Sequence, residues 1–281
     1  MINQNTTLNC KDHTVSGEEF ELRYDHDRDM LITMPKPKTE ELHKYYDSSD
    51  YISHTDGKQG FVESAYHIVK KYAVAQKVKL INRLNSGEGT VLDIGAGTGD
   101  FLVAADTKGW DVKGAEPNEN ARIRAKSKEI VLEKDTSGYE TGFFDVITMW
   151  HVLEHVPDLE KQVRELVRLV KDNGYVIVAV PNFKSYDANY YKEFWAAYDV
   201  PRHLWHFSKN SIKQIFGDDF LIEKVLPMKF DSFYVSMLSE KYKTGKFNFF
   251  KAFWIGLRSN QYGNRKKEYS SHIYVLKKLK T

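Results

Sequence analysis

The stretch VLDIGAGTGD, residues 91–100, reads as a buried strand that runs through a glycine loop into a helix. Val91, Leu92 and Ile94 supply the apolar run, Gly95, Gly97 and Gly99 recur at every second position, and Asp100 with Phe101 opens the helix. Glycines at that spacing let the backbone approach a ligand closely, because no Cβ stands in the way. Outward from the loop the pattern alternates. DFLVAADTKG (100–109) and ENARIRAKSK (119–128) read as helices, while DVKGAEPN (111–118), EIVLEK (129–134) and FFDVITMW (143–150) read as strands. Residues 157–171 carry Leu159, Val163, Leu166, Val167 and Val170 on one helical stripe, and YVIVAVPN (175–182) is a further strand. Strands alternating with helices predict a parallel, doubly wound α/β sheet.

Two acids narrow what the loop can bind. A G-x-G-x-x-G dinucleotide loop would place its third glycine at position 100, where pyrophosphate meets a helix N-terminus, but this chain has Asp100 there. S-adenosylmethionine has no phosphate and carries a sulfonium and an ammonium, so Asp93 suits its amino-acid end. Glu116 lies 23 residues beyond Asp93, at the end of the second strand, and is followed by Pro117, which stops that strand. A carboxylate there accepts both ribose hydroxyls. The glycines alone would fit an ordinary tight strand-to-helix turn; the acid at this spacing argues for a cofactor.

With these residues in place the chain resembles the class I S-adenosylmethionine-dependent methyltransferases, and most of all the branch of the ubiquinone-biosynthesis O-methyltransferases. VLDIGAGTG (91–99), AEPN (115–118), FDVITMWHVLEHVPD (144–158) and GYVIVAVPN (174–182) carry the resemblance, which spans roughly residues 60–225. It implies a Rossmann-like, doubly wound, seven-stranded sheet whose last strand, SSHIYVLKK (270–278), is antiparallel. It also implies S-adenosylmethionine as cofactor, with Asp93, Gly95, Ala96, Gly97, Gly99, Glu116 and Pro117 around it, and Asp135 or Thr136 on the adenine. Helices preceding the first strand form a lid in this family, which makes Tyr51 and His54 of YYDSSDYISH (45–54) candidates for contact with the cofactor. Relatives of this branch often begin with a zinc ribbon, and here only Cys10, with His13 and His26, could echo its ligands; we expect a degenerate ribbon without metal.

The chain is therefore divided into a small N-terminal module (1–37), a helical lid (38–85) and a cofactor-binding domain (86–281). The last contains a loop-rich insertion (182–208) and a basic helical segment (241–268). EFELRY and MLITM read as a hairpin within the N-terminal module, and at least two helices are expected in the lid.

Ligands in open α/β sheets lie beyond the carboxyl ends of the strands. That rule gathers Trp150, His151, Glu154, His155, Pro181 and Asn182, with Trp150 and His151 also facing the cofactor. Methyl transfer to a hydroxyl requires alignment and gains from a base, and histidine has the right reference pKa, about 6.5. His151, His203 and His155 are the catalytic candidates, with His206 behind them; each can equally be a structural histidine holding a loop. Arg202 could hold an acidic acceptor or form a local ion pair.

The 281 residues bear 41 basic and 39 acidic side chains, but residues 241–281 hold 11 basic and one acidic. A solvated lysine-rich face explains this, as does weak contact with an anionic surface. Phe247, Phe250, Phe253, Trp254 and Leu257 fit one helical stripe, expected to be buried. No apolar run is long enough for a membrane span, the N-terminus lacks a signal-like core, and a single cysteine fits a reducing compartment, so a cytoplasmic location is expected. A small-molecule or lipid-linked hydroxyl is the expected acceptor and nucleic acid is disfavoured. The competing readings are a cofactor-binding module without transfer and a nucleotide-dependent dehydrogenase.

Overall fold

The protein, seen in a computed structural model, is described over residues 7–38, 40–46 and 61–280. It opens on a small antiparallel sheet in which β1 (Leu8–Lys11), β2 (Glu19–Asp25) and β3 (Met30–Met34) pair in chain order. Phe20 and Leu22 of β2 are buried while Glu19 and Arg23 are exposed, which is how a strand with one wet face reads. One turn of 3-10 helix (Leu42–Tyr45) and the long helix α1 (Phe61–Asn85) follow.

The parallel half of the central sheet is built from β4 (Thr90–Ile94), α2 (Asp100–Asp106), β5 (Asp111–Ala115), α3 (Glu119–Lys126), β6 (Phe144–Trp150), α4 (Leu159–Leu169) and β7 (Val170–Pro181). Its strands lie in the order β5, β4, β6, β7. Asp158 caps α4 by accepting the Lys161 amide at 2.9 Å. The helix buries Leu159, Val163, Leu166 and Leu169 against the sheet, each worth roughly 1.5–3 kcal/mol of apolar transfer. The chain then runs through α5 (Tyr186–Tyr191), β8 (Trp205–His206), α6 (Lys209–Phe216), β9 (Phe220–Pro227), α7 (Asp231–Thr244), α8 (Phe249–Lys266) and β10 (Ser271–Lys278). Ser208 closes a capping box at the start of α6. β10 inserts antiparallel between β7 and β9, as expected for the last strand.

Among the described residues the central sheet has six strands, one fewer than expected. EIVLEK keeps the burial alternation of a strand, with Ile130 and Leu132 inside and Val131 outside, but pairs with β5 through a single bridge, Ala115 to Glu133. At one end the Ile130 amide is tied to Ala125 O, the C-terminal turn of α3. At the other, Asp135 turns the chain by accepting the Ser137 amide at 2.9 Å. One paired residue is all that remains between those two anchors.

The stretch 182–208 returns to the N-terminal sheet, where β8 pairs with β3 as its fourth strand. Cys10, Phe20, Leu22 and Leu31 share one apolar cluster with Tyr191, Trp195, Tyr198 and Val200. His13 stacks on Tyr242 at 4.5 Å and His26 packs edge-on to Tyr24, so Cys10, His13 and His26 are not brought together.

The expected buried stripe on α8 is corrected. Phe247, Phe250, Phe253 and Trp254 are all exposed, and the buried face carries Ala252, Ile255, Gly256, Ser259 and Gly263. Gly256 explains the choice: a Cβ there would stand 2.7 Å from the Phe233 ring, so α8 packs backbone-close on α7. Among the described residues no helix is long and apolar enough to cross a membrane.

Candidate active site

The glycine loop leaves β4 at the level of the β5 terminus. The Gly95 amide donates to Ala115 O at 2.8 Å, and Gly95 has φ +71°, with Val152 Cγ2 only 2.4 Å from where a Cβ would sit. A side chain is excluded there twice over, by backbone and by contact. Gly97, at φ +54°, faces open space. Glu116 is buried at the end of β5; its Oε2 accepts the Gly97 amide at 2.9 Å and its Oε1 the Asn118 amide at 2.9 Å. Each oxygen keeps a lone pair for a further donor. Pro117 contributes its carbonyl, which accepts from Arg122 at 2.8 Å.

Asp93 is buried and accepts the Thr148 hydroxyl at 2.6 Å. Burial pushes its carboxyl up to about 7, against the opposing pull of Thr148 and of Lys77 on α1. Lys77 Nζ stands 4.2 Å over the Trp150 ring, whose Nε1 is buried without a partner. Asp100 is held between Lys70 and Lys128, each at 2.6 Å. Its repulsion of a pyrophosphate is thereby offset, and the obstacle left is the side chain itself where a dinucleotide loop has glycine. A cavity of about 1060 Å³ between α1, α2 and α3, rimmed by Lys71, Lys79 and Arg83, reaches the loop only at Thr98 and Asp100.

Beyond β6 the chain turns at His151, φ +58°. Its Nδ1 donates to Glu154 Oε1 at 3.2 Å and its Nε2 to Asp231 Oδ2 at 3.1 Å. Burial alone would push this imidazole down, but the hydrogen bonds to Asp231 and Glu154 lift it to about 10. His151 is thus an imidazolium at neutral pH, with no lone pair for a proton. His155 is the opposite case: burial, and then His203 beside it, hold it down to about 4. Its Nδ1 lies 3.0 Å from Arg202 O, with the Tyr46 hydroxyl at 3.1 Å, and the His203 Nδ1 lies 2.9 Å from Ala197 O. A carbonyl can only accept, so both imidazoles carry a proton on Nδ1; His155, held low, keeps a lone pair on Nε2, and His203 Nε2 lies 3.9 Å from Asp199 Oδ2.

His206 is structural, sharing Thr33 Oγ1 at 3.0 Å. Arg202 is the local ion pair: buried, it grips Asp199 with Nε and Nη2, reaches Asp12 at 3.0 Å and Tyr45 O at 3.0 Å, and is spent. Asn182, also buried, donates to Glu268 and to Tyr269 O. Asp135 is exposed and bonds Ser137, while Thr136 donates to Glu165 at 2.7 Å, so neither position singles out an adenine contact. Tyr51 and His54 lie outside the described residues. Sequence reasoning did not reach Lys77, Thr148, Asp199 or Asp231; the Thr148 signal was available, as a polar residue between Ile147 and Met149 near the end of β6.

A family model for a methyltransferase domain matches residues 66–219, more than half of the chain. A ubiquinone biosynthesis O-methyltransferase of Pectobacterium atrosepticum is 33% identical over 102 residues, covering 33% of this chain and 42% of that protein. The protein of the same name from Paraburkholderia phymatum is 36% identical over 109 residues, covering 34% and 47%. The chain spans less than half the length of these curated relatives. Among solved structures, a SAM-dependent methyltransferase from Archaeoglobus fulgidus superposes with a TM-score of 0.51 at 18% identity, covering 74% of this chain and 93% of that one. Geranyl diphosphate C-methyltransferase from Streptomyces coelicolor gives 0.57 at 10% identity, covering 85% and 97%. At such identities these two show the fold.

Proposed function

The chain belongs to the methyltransferase-domain family, with S-adenosylmethionine as its cofactor, and from that premise we propose that it transfers the methyl group to a hydroxyl oxygen of a small-molecule or lipid-linked acceptor in the cytoplasm. Gly95, Ala96, Gly97 and Gly99 would hold the cofactor, with Glu116 accepting from its ribose, Asp93 facing its ammonium and Trp150 beside it. When bound, the cofactor would supply a methyl group activated by its sulfonium to the acceptor oxygen and leave as S-adenosylhomocysteine. The protein's work is alignment and exclusion of water, together with removal of the hydroxyl proton.

One observation favours a hydroxyl: the turn after β6 and the loop before β8 bring together two imidazoles, on His155 and His203, each with Nδ1 committed to a backbone carbonyl and Nε2 left to take a proton, beside the buried Glu154. His151, already protonated, serves better to fix Glu154 and to place positive charge near a developing oxyanion. The test is formation of labelled S-adenosylhomocysteine by purified protein with metabolite fractions of a cell extract. Stimulation by a fraction bearing free hydroxyls, abolished when these are acetylated, supports the reading. Tight cofactor binding without turnover in any fraction would favour a binding module.

A further inference from the structure

Glu154, His155 and His203 each place a ligand-type atom within 4.8 Å of the others. Two of them follow one another after β6 and the third comes from the loop before β8. Glu154 is 1% exposed and its Oε1 is taken by His151, but its Oε2 is buried with no hydrogen-bond partner at all. An orphan carboxylate oxygen in that position is a buried acceptor without a donor. The histidines are set as metal-binding histidines are, each Nδ1–H donating to a backbone carbonyl, Arg202 O or Ala197 O, which fixes the ring and leaves Nε2 to ligate.

The surrounding charge points the same way. In the connected ion-pair set the four carboxylates Glu154, Asp231, Asp199 and Asp12 outnumber the cationic side chains His151 and Arg202, and His203 Nε2 itself lies 3.9 Å from Asp199 Oδ2. Lys77, the next cation along, is shared with Asp93. Two imidazoles whose Nδ1 atoms are committed to backbone carbonyls and one carboxylate oxygen without a partner, in acid-rich surroundings, suit one divalent cation.

We propose that Glu154 Oε2, His155 Nε2 and His203 Nε2 form a binding site for a divalent transition-metal ion, with two nitrogens and one oxygen as protein ligands. Nitrogen and carboxylate donors suit zinc, iron(II) or cobalt(II) better than magnesium or calcium. Ligand atoms about 2.1 Å from a shared ion stand roughly 3.4 Å apart, so a modest closure of the three side chains completes it. Three protein ligands leave a position for a small oxygen ligand, and His155 is only half-buried. With an ion in place the imidazoles act as ligands, and a bound hydroxyl loses its proton because the cation lowers its pKa. That last step rests on the methyl-transfer reading; the site does not.

The probe is zinc by calorimetry, with cobalt(II) as a visible-absorption reporter, on metal-stripped full-length protein. The expected result is one zinc per chain, and a cobalt spectrum in the range of nitrogen-ligated ions. His155→Gln and His203→Gln should each weaken binding by more than the 10- to 100-fold that loss of a second-shell partner produces. The exposed His43→Gln should leave it unchanged. Glu154→Gln, which keeps shape and removes charge, covers the case in which a histidine variant unfolds, and S-adenosylhomocysteine binding monitors folding in all of them. Absence of saturable zinc binding, or wild-type zinc affinity in folded Glu154→Gln and either histidine variant, overturns the proposal. Failure of methyl transfer with zinc binding intact would overturn only the functional reading.

Discussion

Glu116 holds Gly97 directly, its Oε2 accepting the Gly97 amide at 2.9 Å, while the other oxygen accepts the Asn118 amide. The carboxylate that should meet the ribose is thus fixed by two backbone donors before any ligand arrives. Because both oxygens accept, glutamine is not a conservative replacement: its NH₂ would confront a backbone N–H. Glu116→Ala and Glu116→Gln should both weaken S-adenosylhomocysteine binding by roughly 1.5–3 kcal/mol, the value of a charged hydrogen-bonding partner. Calorimetry showing unchanged affinity removes Glu116 from the site, and NAD should give no measurable heat under the same conditions.

Asp93 makes binding depend on pH. Its carboxyl is raised to about 7, chiefly by burial, so below that pH the folded protein keeps a proton that the unfolded chain releases near 4. The native state therefore binds more protons between about 4 and 7, and stability falls as pH rises through that window. A cofactor ammonium beside Asp93 favours the ionised form, so binding releases the proton and should strengthen as pH rises toward and through 7. Titrations from pH 5.5 to 8.5 should show this slope in the wild type and lose it in Asp93→Asn. A flat wild-type profile would separate Asp93 from the cofactor's cationic end.

The histidines should divide by role. His155→Ala and His203→Ala should lower transfer by the 10²- to 10⁴-fold typical of a lost proton acceptor, while cofactor affinity stays within about threefold. His151→Gln removes a cation instead, and should lower transfer without moving any activity profile toward a histidine's own titration range. Full turnover in both the His155 and His203 variants would leave alignment as the whole of catalysis.

Arg202 carries a stability prediction. Buried at 1% exposure, it joins Asp12 of the N-terminal sheet to Asp199 of the loop before β8. Arg202→Met keeps much of the volume but leaves two carboxylates without their cation, and should destabilise the fold by about 3–5 kcal/mol. Urea unfolding with an unchanged midpoint would show that the link is dispensable.

What the sequence made legible is what local pattern controls. The glycine loop, Asp93 and Glu116 are specified within one strand–loop–helix–strand unit, so apolar period and spacing suffice to find them. The partners that set the chemistry are remote: Asp231 fixes His151 from α7, Lys77 reaches Asp93 from α1, and Asp12 meets Arg202 only after the loop folds back on the N-terminal sheet. No period encodes such contacts. EIVLEK failed differently, since its alternation is real but its ends are anchored elsewhere. On α8 the period was sound and the face was wrong, because Gly256, Ser259 and Gly263 form a rival stripe whose small size permits closer packing on α7.

That inversion leaves Phe249 at 54% exposure and Phe250 at 76%, with Phe247, Phe253 and Trp254 about half exposed beside them. An apolar group of this size on a surface is unusual for a monomer without a use for it. Lys241, Lys243 and Lys246 are exposed at the adjoining end of α7, and Lys241 Nζ lies 5.4 Å from the Phe247 ring. Lys251 is instead committed to the buried Glu240 at 3.1 Å, and Arg265 to Lys267 lie roughly 22 Å along α8, outside the group. The basic excess thus splits, and only its first part adjoins the aromatics. If this end meets an anionic surface, the protein should pellet with vesicles containing acidic lipid at low salt and less so above about 0.1 M, where charges are screened within about 10 Å. Phe250→Ser and Lys246→Glu should each reduce pelleting, the first at every salt concentration and the second mainly at low salt. Equal pelleting with neutral vesicles, or none with either kind, would count against an anionic surface and assign the aromatic group to another partner.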